Sequence, residues 1–159
     1  MTRRFALLDI ATAIVVAVLT AGAVWIAFKG PTGPLPMHFD LSGHPDRWGD
    51  RRELALMLGF LAVVLGVTAG GLGYYARAAP NPTRRRGLQL AQLLTLLVIG
   101  AVAPFATSQI LSAADGPATG IITSLSWPMA LIGCVSLATG ALLGRVPPNV
   151  AVGVRTPWS

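Results

Sequence analysis

LALMLGFLAVVLGVTAGGLGYYA, residues 54–76, is the stretch that decides the fold. It runs for 23 residues without one Asp, Glu, Lys or Arg. An α-helix needs about 20 apolar residues to cross the hydrocarbon core of a bilayer, so this segment is long enough to span. Three more charge-free runs accompany it, at 10–28, 87–114 and 116–144. A chain of 159 residues is one domain's worth and cannot enclose four buried apolar helices in a soluble core. Charged residues make up only 11% of the chain and mean hydropathy is +0.66, where soluble domains carry about 25% charged residues. The reading is an all-α integral membrane protein, a single membrane domain over 1–159 with helices at about 5–28, 54–76, 88–111 and 121–143.

Basic residues set the expected orientation. Arg3, Arg4, Arg77, Arg84, Arg85, Arg86, Arg145 and Arg155 fall on one side of these spans, against Lys29, Arg47, Arg51 and Arg52 on the other. The excess belongs in the cytoplasm, which places both termini inside and the loop 29–53 outside. The net charge of +6 therefore marks span ends, and no direct nucleic-acid partner is assigned. Arg3, Arg4 and the apolar run through Ala21-Gly22-Ala23 imitate a signal peptide, but the run continues to Phe28 and reads as an uncleaved first helix. The single cysteine, Cys134, lies within the fourth span, so neither a disulfide framework nor a cysteine metal site is assigned.

Small residues suggest where helices meet. Gly59, Gly66, Gly70 and Gly73 in the second span, Ala13, Ala17 and Ala21 in the first, and Gly133, Gly140 and Gly144 in the fourth let backbones approach closely. They close one bundle in the plainer reading and join copies into a homo-oligomer in the other. Pro104 and Pro128 are expected to kink their helices, with Thr107, Ser108 or Ser124 serving the freed carbonyls. Asp9 is the only acid near a span interior, and Gln89 and Gln92 share its depth. The three could cluster; the shallow depth instead favours an interfacial Asp9 near Arg4 and water.

The chemistry is concentrated in the loop 29–53, which holds both histidines and four of the six acids. His38-x-Asp40 and His44-x-Asp46 repeat an H-x-D pattern whose side chains are ligand types for a divalent metal. Their spacing matches no ligand signature, and no metal, cofactor or catalytic residue is assigned. The loop reads better as a folded plug. Pro34 and Pro36 hold an extended approach, Gly43 permits a turn, and Phe39 and Trp48 are apolar anchors. Asp46, Asp50 and Glu53 alternate with Arg47, Arg51 and Arg52, so the charges can pair locally.

LPMHFDLSGHPDRWGDR at 35–51 resembles the signature L-P-x-H-F-x-x-x-G-x-P-D-x-W-G-x-R/K of small bacterial membrane proteins grouped with the SdpI-type immunity proteins. The tail NVAVGVRTPWS at 149–159, preceded by Pro148, is similar to a second motif of that family, found after the fourth helix. Longer members continue into two more helices; this sequence ends at Ser159. The resemblance implies immunity to a secreted toxic peptide at the bacterial plasma membrane and, in some members, capture of a transcriptional repressor at the inner face. Carried over, it points to an outer binding element of His38, Phe39, Gly43, Pro45, Asp46, Trp48 and Arg51, to which the loop's own chemistry adds Asp40. An inner element at 144–159 would comprise Asn149, Gly153, Arg155, Thr156, Pro157 and Trp158. Membrane lipid is the further partner expected. The alternative is a small transporter or channel for a peptide or lipid-like solute, its entrance lined by the hydroxyls near the outer ends of helices three and four. The protein is not expected to be an enzyme.

Overall fold

The structure, a computed structural model, describes residues 2–40 and 44–114 together with Gly133 and Leu137. Helix α1 spans Thr2–Lys29, strand β1 Leu35–Phe39, strand β2 Pro45–Gly49, helix α2 Arg51–Ala78 and helix α3 Pro82–Ala114. All three helices are long and apolar enough to cross a membrane, which marks a membrane protein. The expected fourth span, 121–143, lies outside the described residues except for Gly133 and Leu137, both helical.

Local signals fix the helix ends. The Gly30 N–H donates to the Ile26 carbonyl at 3.0 Å as the chain leaves α1. A Cβ on Gly30 would stand 2.5 Å from that oxygen, so the exit requires glycine. At the start of α2 the Asp50 backbone is extended, with φ −124° and ψ 173°, and its carboxylate accepts from the Glu53 N–H at 2.9 Å. That is an N-cap of the kind whose loss costs about 1 kcal/mol. Ala79 ends α2 in an extended conformation, as a residue before proline prefers. Asn81 then caps α3, accepting from the Thr83 N–H at 2.8 Å, and Pro82 occupies the first helical position where its missing donor is harmless.

Helix α2 packs against both α1 and α3. Its buried face is Ala55, Ala62, Ala69 and Ala76, recurring every seven residues, with Leu58 and Leu65 between them. The same spacing recurs at Thr12, Leu19 and Ile26 of α1 and at Leu96, Ala103 and Ile110 of α3. A seven-residue repeat keeps one seam facing its neighbour along the length of paired helices. Alanine at the repeat lets the backbones close in.

This corrects the small-residue reading in part: Gly59, Gly66 and Gly73 face neighbouring helices, but Gly70, Ala13, Ala17 and Ala21 do not. Ala13, Ala17 and Ala21 of α1 are exposed rather than packed. A Cβ on Gly70 would meet nothing within 4 Å, whereas one on Gly66 would only touch Val16 at 3.7 Å. Glycine is a sparse marker that tolerates several environments. The alanine and leucine heptads carry the packing because they repeat with the seam.

The opposite faces are apolar and uncovered. Leu7, Ile10, Ile14 and Val18 of α1 and Leu56, Phe60, Val63 and Val67 of α2 are each more than half exposed. Contiguous apolar surface of this extent suits lipid, not water. Aromatic rings sit at both ends: Trp25, Phe28 and Trp48 at the hairpin end, Tyr74 and Tyr75 at the other, the two tyrosine rings edge to face with centroids 5.5 Å apart. Such rings settle at membrane interfaces.

The all-α expectation needs one amendment. The loop between α1 and α2 contains a two-stranded antiparallel sheet. The two short stretches pair with each other, and pairing satisfies backbone groups that an open loop would leave to water.

Candidate functional site

The hairpin is built onto the helix ends rather than tethered to them. Leu35 opens β1 with none of its surface exposed and joins the helical core, and Pro36 is buried beside it. Helix α3 packs against β1. Burying a leucine contributes about 1.5–3 kcal/mol, more than any exposed ion pair in the hairpin could. Leu35 pairs with Gly49, Pro36 with Trp48, His38 with Arg47 and Phe39 with Pro45. The ladder is irregular on both sides of His38, where bulges re-aim the side chains. Pro36 is tolerated because both strands of a two-stranded sheet are edges.

Beyond this anchor the surface is polar and presented outward. His38 Nδ1 lies 2.6 Å from Asp46 Oδ1 across the hairpin. Asp40 closes the turn: its N–H donates to the His44 carbonyl at 2.9 Å, and its carboxylate accepts from the His44 N–H at 2.8 Å. His44 Nδ1 stands 4.0 Å from the same carboxylate. The doubled H-x-D pattern is therefore crossed in space. His38 goes with Asp46 and His44 with Asp40, because the strands are antiparallel and partners lie opposite rather than two residues along. Spacing read along the chain could not show this.

Two further contacts fasten the base. Arg47 of β2 forms an ion pair with Glu53 in the first turn of α2. Arg51 Nη1 reaches the Gly30 carbonyl at 3.4 Å and so ties the start of α2 to the end of α1. Gly49 has a steric role: a Cβ there would collide with the Glu53 carboxylate and stand 2.7 Å from Met37 Cγ.

Of the expected outer element, His38, Asp40, Asp46 and Trp48 are exposed on the hairpin, Pro45 is half-buried, and Arg51 is part of its base. Phe39 closes β1 opposite Pro45. Gly43 lies outside the described residues, as do Asn149, Gly153, Arg155, Thr156, Pro157 and Trp158 of the expected inner element. Thr107 and Ser108, expected to serve the carbonyl that Pro104 frees, bond elsewhere on their own helix. Thr107 Oγ1 donates to the Ala103 carbonyl at 2.8 Å and Ser108 Oγ to that of Phe105 at 2.7 Å, while the carbonyl lacking its usual donor is that of Gly100.

At the far end the three helices meet on a polar cluster. Gln92 of α3, 1% exposed, donates from Nε2 to Asp9 Oδ1 at 3.1 Å and lies 3.5 Å from Thr12 Oγ1. Asp9 also forms an ion pair with Arg77 at the end of α2. Gly73 makes room: a Cβ there would stand 2.5 Å from Asp9 Oδ1 and 2.9 Å from Gln92 Nε2. The Asp9 side chain is 34% exposed, so a place at the interface agrees with this geometry, and its partners on the other helices are Arg77 and Gln92. Polar groups at membrane depth gain more from one another than from a distant headgroup layer. Gln89 does not join the cluster: among the described residues its side chain makes no hydrogen bond to these groups. The missed signal was Gly73, four residues before Arg77 and on the same helical face.

No family model, curated protein or solved structure matches this chain. The family resemblance therefore rests on the two sequence motifs alone.

Proposed function

We propose that this chain is a multi-pass protein of the bacterial plasma membrane, of the SdpI-like type, that protects the cell by binding a secreted toxic peptide. The outward hairpin is the docking element, with His38, Asp46 and Trp48 as contact residues and Phe39, Asp40 and Arg51 shaping it. One observation carries this reading: Leu35 and Pro36 are fully buried at the base of the hairpin, while His38, Asp40, Asp46 and Trp48 are exposed. An anchored surface of this kind binds without first ordering itself, which removes part of the entropic cost of association. A plain connector between α1 and α2 would not need a buried anchor, a crossed pair of histidine–carboxylate contacts and a glycine fitted under two side chains.

The inner end is proposed to carry the second role, capture of a repressor protein, through the basic residues Arg84 and Arg86 together with the tail residues Arg155 and Trp158. The motif resemblance and the excess of arginine on that side support it.

The test is survival. Cells expressing the chain withstand the toxic peptide of the same or a neighbouring strain, and His38→Ala or Trp48→Ala removes protection while membrane levels stay unchanged. Protection that persists in both variants would overturn the docking role of the hairpin. Peptide flux into proteoliposomes would favour transport instead.

A further inference from the structure

A shallow groove lies where the base of the hairpin meets α2, lined by Pro34, Trp48, Asp50, Arg52, Glu53 and Leu56. Its charges are mixed. Glu53 is held by Arg47, and Asp50 caps α2 through one oxygen. Arg52 is exposed and makes no hydrogen bond or ion pair among the described residues. One turn along α2 from Arg52 comes Leu56, 74% exposed, followed on the same stripe by Phe60 and Val63. Arg52 thus tops an uncovered apolar ridge at the level where Trp48 marks the interface. An arginine at such a boundary keeps its stem on apolar surface and its guanidinium at phosphate height.

We propose that this groove seats the headgroup of an aminophospholipid. Arg52 takes the phosphate, the carboxylates of Asp50 and Glu53 attract the ammonium, and Trp48 packs against the glycerol region. One acyl chain follows Leu56, Phe60 and Val63. The occupant is a zwitterionic lipid because the rim offers both signs: a purely anionic headgroup meets Arg52 but is opposed by Asp50, the Glu53 charge being shared with Arg47. The groove shares Trp48 with the proposed peptide-docking face, but the residues that read the headgroup, Arg52, Asp50 and Glu53, have no part in that role.

Native mass spectrometry of the detergent-purified full chain, titrated with dioleoylphosphatidylethanolamine or dioleoylphosphatidylglycerol, tests the site. One ethanolamine lipid per chain is expected, bound at least about fivefold more tightly than the glycerol lipid, the scale of one well-placed charge at a lipid headgroup. Arg52→Gln weakens ethanolamine-lipid binding by about the same factor, and Arg52→Lys restores part of it. Asp50→Asn keeps the helix cap, since asparagine caps as well as aspartate, and narrows the preference between the two lipids. Equal binding of both lipids, or ethanolamine-lipid binding unchanged in Arg52→Gln, would overturn the proposal. Among the described residues the Arg52 side chain has no partner to lose, so that variant folds.

Discussion

Gln92 Nε2 donates to Asp9 Oδ1 at 3.1 Å, and the bond passes beside Gly73, so one hydrogen bond draws on all three described helices. The backbone of α2 can stand this close to both partners only because residue 73 carries no side chain. Gly73→Ala is therefore expected to lower stability by about 1–3 kcal/mol, the cost of forcing a methyl group into filled space. Gly71→Ala is the control, since a Cβ there meets nothing within 4 Å. Reversible unfolding in mixed dodecylmaltoside–SDS micelles measures both. Equal effects would show that helix propensity, not the polar contact, governs this face.

The Asp9–Gln92 contact should also be measurable by itself. Within membrane proteins, side-chain hydrogen bonds average about 0.6 kcal/mol in double-mutant cycles, with a ceiling near 1.7. A cycle of Asp9→Ala and Gln92→Leu is expected to return a favourable coupling in that range. Arg77→Gln costs less than Asp9→Ala, because Asp9 loses two partners whereas the Arg77 side chain is already 48% exposed and can turn to water or headgroups. A coupling near zero would mean that the two groups find other partners once separated.

Much of this arrangement is legible in the sequence, and the reasons for the rest are physical. Charge-free runs locate α1, α2 and α3, because crossing lipid demands both length and apolarity. They mark the far ends closely, while α1 and α3 begin well before their runs, in segments that carry arginines. The packing seams are in the letters as well, as sevens at Ala55, Ala62, Ala69 and Ala76, but the glycines of α2 are the more conspicuous pattern. The hairpin was harder. Its buried part is a single leucine and a proline, too little for an alternating strand pattern, and its cross-strand pairs depend on a register set by bulges. The partners of Asp9 are not legible in the sequence, because depth along one helix says nothing about which side chains of another arrive at the same height.

Leu35 should matter more to the hairpin than its ion pairs. Leu35→Ala removes a fully buried side chain, a change that typically costs 2–5 kcal/mol, and it loosens the base of β1. Glu53→Gln breaks only the pair with Arg47, which is more than half exposed and contributes under about 1 kcal/mol. Limited trypsin digestion of the purified protein reads the difference at the Arg47 bond. Cleavage is expected to rise by about tenfold or more in Leu35→Ala and only slightly in Glu53→Gln. The reverse order would show that charge pairing holds the hairpin.

The last prediction concerns the two ends of the bundle. At about 1.5 Å per residue, the 28 residues of α2 span about 42 Å, more than the roughly 30 Å hydrocarbon core. The hairpin at its start and the turn after Ala78 at its finish must then face opposite sides of the membrane. Arg77, Arg84, Arg85 and Arg86 gather at the second of these, and the proposed topology puts it in the cytoplasm because of their number. With Cys134, the single native cysteine, replaced by alanine, Asp46→Cys is expected to react with a membrane-impermeant maleimide in intact cells. Arg84→Cys reacts only after lysis. Both positions are exposed, so burial does not confound the comparison. Labelling of both from the same side would remove the membrane-spanning reading of α2 and, with it, the outward hairpin on which the proposed protection rests.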